Sequence, residues 1–548
     1  MSRAQRVLGA TAIGYVHQAV IILTGLWLTP FLLHRIGQHD LGLWMVAGQI
    51  LGYLLLMDLG VIAILPREVA YASGQGSDAQ ARIPELVAQV HRIVRLQLGA
   101  LTAICVLVWL LLPAQWEDLR WPLVWVLGAF VIFYPLRVPS AALQGLQDLP
   151  FLAKTQMAGW AASTILTVGL VLRGAGISAL VIGWIAGLVL PAAAGWWRLR
   201  TRWHQQRTGG GEREGVGHYF QRSLWVSVGQ VAQALTNGSD ILLVGRFLGT
   251  AAVVPYSCTA KLVTVFANHP QLLMHAAQPA LTQLRGAGAK AQLLRASTVL
   301  SQAMLIMSGA LVVIIIPSNH FFVHWWVGPA QYGGESLTLA LTLMMLLRHW
   351  NVAAIFTLFC FGYEKQVSVT NLCDGLVTVV ATPLLIWKFG MIGAPLASMI
   401  GAGLVSLPVN LRSLAFEMDL SVGAFVRPFA PLLARVLAMI AVAVAATMWF
   451  APVTLVPAVG TTAGLALLYV VAVFPLLRHG PLREYFDALV TPWLARIFPS
   501  FFRSRTPRSS TGTAPGSRSS VDWLSTISPP PAWAASRAAT FVVMPDAV

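Results

Sequence analysis

Asp58, Asp240, Lys261, Arg348 and Asp374 each stand inside a long run of apolar residues. A charge at the centre of a bilayer-crossing helix costs at least ~2.5–3.5 kcal/mol on insertion scales, so each of these side chains needs a partner or a task. Lys261 lies about 10 residues from one end of its run and Arg348 about 12 residues into its own, which at ~1.5 Å per residue sets both ~15–18 Å deep. Two cations at one depth suit a diphosphate passing between them, Arg348 with a bidentate fork and Lys261 with a mobile point charge. The competing reading pairs each cation with a buried aspartate. Asn351 shares a helical face with Arg348 and can meet sugar hydroxyls. Trp350 can stack on a sugar ring or contact lipid. Asp58, Asp240 and Asp374 can each bind a proton or a sodium ion for coupling, or close a structural ion pair. Arg35 and Arg246 sit at helix ends, where snorkelling to headgroups is ordinary. Their near-match in the repeat described below suggests a shared role at an outer mouth.

These residues must be positioned by membrane helices. Of the 548 residues, 57% are apolar and 10% charged, against ~25% charged in a soluble domain. Apolar runs occur at 9–33, 41–65, 94–113, 121–144, 151–172, 176–197, 223–247, 251–280, 294–316, 336–361, 366–388, 391–411, 430–451 and 456–477. The expected fold is an all-α polytopic membrane protein with about 14 transmembrane helices. Basic residues crowd alternate loops, among them Arg67, Arg82, Arg92, Arg137, the arginines of 198–222, Arg285, Lys365 and Arg412. The other loops hold only Arg35, Arg120, Arg173, Arg246 and Lys388. By the positive-inside rule the first set is cytoplasmic, as are both termini. The net charge of +16 is spread between helices rather than gathered in a patch, which argues against a nucleic-acid partner.

Shifting the chain by 212 residues aligns Gln18 with Gln230, Thr24 with Thr236, Gly37 with Gly249 and Trp44 with Tyr256. At the same offset Gln49 is the mate of Lys261, so a substrate site would be charged on one side and neutral on the other. An offset of six helices gives a parallel repeat about an axis along the membrane normal. The expected organisation is a six-helix lobe (1–200), a cytoplasmic linker (201–222) and a second six-helix lobe (223–412). Two further helices (430–478) lie outside the repeat. Residues 479–548 form an interfacial segment and a tail whose Ser-, Pro- and Arg-rich composition reads as disordered.

The segment PFLLHRIGQHDLGLWMVAGQILGYLLLMDLGVIAILPREVA resembles the opening of the polysaccharide-export branch of the multidrug/oligosaccharidyl-lipid/polysaccharide exporter superfamily. SDILLVGRFLGTAAVVPYSCTAKLV resembles the seventh and eighth helices of that family, and WKFGMIGAPLASMIGAGL its eleventh-to-twelfth hairpin. The resemblance covers roughly residues 5–415. It implies a flippase that moves an undecaprenyl-diphosphate-linked oligosaccharide to the outer leaflet of a bacterial inner membrane by alternating access. It also implies membrane lipids, a polysaccharide polymerase and glycosyltransferases as partners. A lipid II flippase shares the helix number. A multidrug antiporter of the same superfamily would want an acidic cavity, whereas Lys261 and Arg348 sit deepest here. A membrane glycosyltransferase needs carboxylates at a membrane face, and the loop 317–335 offers only Glu335 beside His320 and His324. No P-loop or metal-ligand spacing appears, so no cofactor is expected and the chain reads as a transporter rather than an enzyme.

Overall fold

The computed structural model describes residues 3–58, 60–74, 83–203, 227–236, 238–286, 288–450, 454–479 and 482–483. Every regular element among them is helical. The expected linker from 204 onward, the interfacial segment, the tail and the side chains of His17, Asp58 and His275 lie outside the described residues. The first half contains α1 (Arg3–Leu54), α2 (Val61–Gly74), α3 (Ile83–Leu110), α4 (Arg120–Phe133), α5 (Arg137–Gly145), α6 (Leu149–Leu172) and α7 (Ile177–Trp203). The second half opens with α8 (227–236), α9 (Ser239–Phe247), α10 (Thr250–Gly286), α11 (Lys290–Val327) and α12 (Glu335–Cys360). It continues through α13 (Glu364–Phe389), α14 (Gly393–Ile400), a π-helical turn (Gly401–Ser406), α15 (Leu407–Glu417) and the short α16 (Val422–Val426). Last come α17 (Ala430–Phe450) and α18 (Leu455–His479).

Among the described residues, eleven stretches are long and apolar enough to cross a membrane. Two of them each join parts or all of two expected runs: Ala19–Leu54 and Glu364–Glu417. Glycine divides both. Gly37 breaks α1 with φ 87° and ψ 167°, a conformation that a side chain forbids. Gly390, at φ 60°, separates α13 from α14. Gly249, the repeat mate of Gly37, has φ 89°. The run at 223–247, of which 223–226 and 237 lie outside the described residues, is not among the eleven. The run at 41–65 is broken by a 3-10 turn at Leu55–Asp58 before α2. Prolines inside the helices (Pro30, Pro66, Pro191, Pro317, Pro383, Pro475) fit membrane helices, where neighbouring groups re-satisfy the freed carbonyls.

Packing rests on small residues, because lipid tails offer no hydrophobic drive for one helix to prefer another. α6 lies along α7 where Gly159 faces the Gly187 carbonyl; a Cβ on Gly159 would fall 2.8 Å from that oxygen. α13 and α14 close at Gly393, whose Cβ would fall 2.3 Å from the Ile386 nitrogen. α17 and α18 pack on α11, and the Tyr469 hydroxyl donates to the Ile306 carbonyl at 2.7 Å. Outward faces are apolar: Trp387 is 90% exposed and Trp449 86%.

The halves meet where α1 packs on α9, α10 and α11. Near the Gly37 turn, Gln38 Nε2 donates to the Ala251 carbonyl at 2.6 Å, and Gln331 Nε2 donates to Gln38 Oε1 at 3.1 Å. Gln115 Nε2 donates to the Arg246 carbonyl at 2.7 Å, and the Trp326 indole donates to the Leu26 carbonyl. A Cβ on Gly42 would sit 2.1 Å from the Thr250 oxygen, so backbones touch here.

Backbone-to-backbone approach cannot yield to a side chain as a flexible neighbour can. Gly393→Ala is therefore expected to lower the apparent Tm of the purified protein in detergent by an amount corresponding to ~1–3 kcal/mol of overpacking. Gly460→Ala, at a position with nothing within 4 Å, should leave Tm unchanged. Size-exclusion chromatography after a heating series reads both.

Candidate functional site

α12 carries Arg348 and Asn351 three residues apart, so they project into one region. α13 supplies Asp374 to meet them. Arg348 Nη1 donates to Asp374 Oδ2 at 2.9 Å and Nη2 donates to Oδ1 at 3.0 Å. The same guanidinium donates from Nε to Ser398 Oγ at 2.9 Å and from Nη2 to the Ser398 carbonyl at 3.2 Å. Asp374 is fully buried. Its remaining capacity is taken by Ser406 Oγ, donating at 2.6 Å, and Thr378 Oγ1, donating at 3.3 Å. Asn351 Nδ2 donates to Ser406 Oγ at 2.8 Å, and Asn410 Nδ2 donates to Asn351 Oδ1 at 2.8 Å. One polar chain thus runs from Ser398 through Arg348, Asp374, Ser406 and Asn351 to Asn410, joining α12, α13, α14 and α15.

The π-helical turn makes this chain possible. Its wider winding between α14 and α15 brings Ser406 onto Asp374 while Ser398, two turns earlier, still faces Arg348. Gly401 at the start of the turn permits the approach: a Cβ there would fall 2.4 Å from both Asp374 Oδ1 and Thr378 Oγ1.

A second polar cluster lies where the halves meet. α8 is described to residue 236, and α9 starts at Ser239 beside α1. Asp240 falls in the first turn of α9, and its Oδ2 accepts from the Tyr256 hydroxyl at 2.8 Å. Asp240 Oδ1 is shielded from solvent and has no hydrogen-bond partner among the described residues. From the first half, the Tyr53 hydroxyl donates to the Ala234 carbonyl at 3.2 Å. Gln49 Oε1 borders the start of α9, 2.8 Å from where a Cβ on Gly238 would stand.

Sequence reasoning named Arg348, Asn351 and Asp374, and the structure brings them together. It named Asp240 and Gln49, and the start of α9 gathers them. Lys261 is partly buried on α10, one turn and a half beyond Tyr256. Arg35 and Arg246 are exposed at the Gly37 end. Trp350 packs on Phe429, ring centroids 5.8 Å apart, and His349 turns the other way to Ser308 Oγ at 2.6 Å. Tyr53, Tyr256, Ser398, Ser406 and Asn410 were missed. Their signal was polarity within otherwise apolar runs, which a search for charges passes over.

A sequence model of the family described as polysaccharide biosynthesis protein matches residues 95–323. No curated protein matches the chain. Among solved structures, the lipid II flippase MurJ in an inward closed conformation superposes with a TM-score of 0.60 at 13% identity, over 85% of this chain and 99% of that one. An inward-facing multidrug resistance MATE family transporter of the MOP superfamily gives 0.53 at 11% identity, over 73% of this chain and 94% of that one. In fold the chain is similar to this flippase and this MATE transporter. It is a multi-pass membrane protein.

The ion pair makes a sharp forecast. Arg348→Ala would strand the Asp374 carboxylate in an apolar interior, a loss of ~3–5 kcal/mol, and the amount of protein in the membrane should fall. Asp374→Asn in the same chain should restore it. Immunoblots of membranes from the single and double variants check this. Full abundance of Arg348→Ala without transport would instead assign the guanidinium to substrate.

Proposed function

We propose that the protein flips an undecaprenyl-diphosphate-linked oligosaccharide from the inner to the outer leaflet of a bacterial inner membrane, by alternating access between its two halves. The observation that carries this reading is the set of bonds across the Gly37 end, made by Gln38, Gln115, Gln331 and Trp326. Such bonds join two helical bodies at one mouth and are individually weak enough to part: a neutral hydrogen bond contributes ~0.5–1.5 kcal/mol net. The loop charges make the Gly37 end periplasmic and both termini cytoplasmic. The match of residues 95–323 to a polysaccharide biosynthesis family supports a glycan as the substrate class.

Within this reading the charged residues divide their work. The guanidinium of Arg348 is already neutralised by Asp374, so it holds the second half together and offers a diphosphate only the residual pull of a compensated pair. Lys261, on the helix that faces α1, is the cation that meets the diphosphate, with Gln49 opposite as its neutral counterpart. Asn351 supports the Ser406 bridge. Asp240 is the coupling group: its Oδ1 accepts a proton or a sodium ion at the seam between the halves, where occupancy alters how α9 sits against α1. Asp58 is a second coupling candidate, on the helix break before α2. Arg35 and Arg246 flank the outer mouth. Lipids surround the chain, and glycosyltransferases and a polymerase supply and consume its substrate.

Deletion of the gene should abolish surface polysaccharide and leave the lipid-linked oligosaccharide on the cytoplasmic leaflet, where lectin reaches it in inside-out but not right-side-out vesicles. Lys261→Ala and Asp240→Asn should each fail to restore export at normal membrane abundance. Unchanged surface glycan with new sensitivity to cationic drugs would assign the chain to drug efflux. Loss of lipid II translocation in the deletion strain would place the protein with the lipid II flippases.

A further inference from the structure

A crevice of about 630 Å³ opens at the Gly37 end, beside the seam between the halves, lined by Trp109, Glu117, Asp118, Arg120 and Trp121. Its size is that of small-ligand pockets, ~300–1,000 Å³. The floor is fixed in place. The Trp109 indole donates to the Arg120 carbonyl at 3.1 Å, and the Arg120 guanidinium lies over the Trp109 ring, 5.0 Å from its centroid. Trp116, 6% exposed, anchors the 3-10 turn Ala114–Leu119 from beneath. Gln115 ties that turn to the Gly245 and Arg246 carbonyls of the second half. The rim is open: Trp121 is 75% exposed, and Glu117 and Asp118 are exposed.

We infer that this crevice is an outer-face subsite for the sugar portion of the exported glycan; the inference rests on the flippase reading above. Flat indole rings present an apolar face to the C–H face of a pyranose, while carboxylates accept from its hydroxyls and a guanidinium donates to its oxygens. A diphosphate does not belong here, because two exposed carboxylates repel it. The occupant is therefore the neutral or weakly charged sugar, held after the diphosphate has passed.

The crevice also touches the closure of the outer mouth. Asp118 Oδ2 lies 3.2 Å from His39 Nε2, and His39 Nδ1 lies 2.9 Å from Thr250 Oγ1. An Nε2–H imidazole therefore donates to the carboxylate and accepts from the hydroxyl, linking crevice and second half. A sugar hydroxyl donating to Asp118 competes with His39 for that carboxylate and loosens the link.

The test uses the full chain in cells that make their own glycan. A photo-reactive benzoylphenylalanine replaces Trp121 or, one helical turn further on, Trp125, which is 69% exposed. After irradiation, the purified protein is oxidised with periodate and probed with hydrazide for carbohydrate, and the adducts are analysed for phosphorus and fatty acids. The expected result is a carbohydrate-bearing adduct at 121 and not at 125, reduced several-fold by Glu117→Gln at equal protein level. Adducts at 121 that carry phospholipid without carbohydrate overturn the subsite and make the tryptophan a headgroup anchor. Absence of any adduct at 121, or equal glycan adducts at both positions, overturns it as well. If the deletion strain keeps its surface glycan, the flippase reading fails and takes the crevice with it. If surface glycan is lost but residue 121 captures no carbohydrate, only the crevice fails.

Discussion

A guanidinium and a carboxylate facing each other inside an apolar bundle set the terms for the second half of this protein. Neither charge is tolerable there alone, so each fixes the place of the other. The geometry is as demanding as the energetics: Arg348 spends both Nη atoms on Asp374 and its Nε on Ser398. That requires α12, α13 and α14 to hold one mutual rotation. The π-helical turn and Gly401 are the local concessions that let α15 join through Ser406. What results is a body of several helices joined by a continuous polar spine.

The seam between the halves is built on a different principle. Its bonds are mostly amide side chains to backbone carbonyls, made by Gln38 and Gln115 close to glycine turns. They are short-range, neutral and separable. A rigid body and a releasable seam are the two requirements of alternating access, in which one bundle rocks against another about a fixed site. Asp240 lies between the two regimes. It belongs to the second body through Tyr256 and sits at the start of α9 near the seam, with Oδ1 accepting no hydrogen bond among the described residues. Under the proposed coupling role, ion occupancy there would alter the balance between packings that differ by only a few kcal/mol.

Much of this was legible in the sequence because membrane helices must be long, apolar and internally hydrogen-bonded. The runs at 94–113, 151–172 and 430–451 found their helices for that reason. The cost of intramembrane charge likewise pointed to Arg348, Asp374 and Asp240. What hydropathy could not reveal is where a helix breaks. The 3-10 turn at 55–58, the helix start at Ser239 and the π turn at 401–406 leave average apolarity untouched, yet they decide which polar atoms meet. Pairing was hidden for a similar reason. The sequence offered Arg348 as a substrate cation or as the partner of a buried aspartate, and only the register of α12 against α13 brings it to Asp374. Trp350 could not be assigned either, since lipid, sugar and Phe429 all suit an indole.

The central claim is that the halves are bodies that part at the Gly37 end while the second half keeps its internal geometry. Pulsed electron–electron distance measurement on spin-labelled protein in lipid nanodiscs tests it directly. One label pair, at 173 and 325, spans the halves; another, at 325 and 387, lies within the second. Introducing Gly42→Val wedges a side chain against the Thr250 backbone oxygen, where even a Cβ would stand at 2.1 Å. The account predicts that this substitution shifts the 173–325 distribution to longer distances and leaves the 325–387 distribution in place. A 325–387 distribution that moves or broadens while 173–325 stays fixed would contradict it.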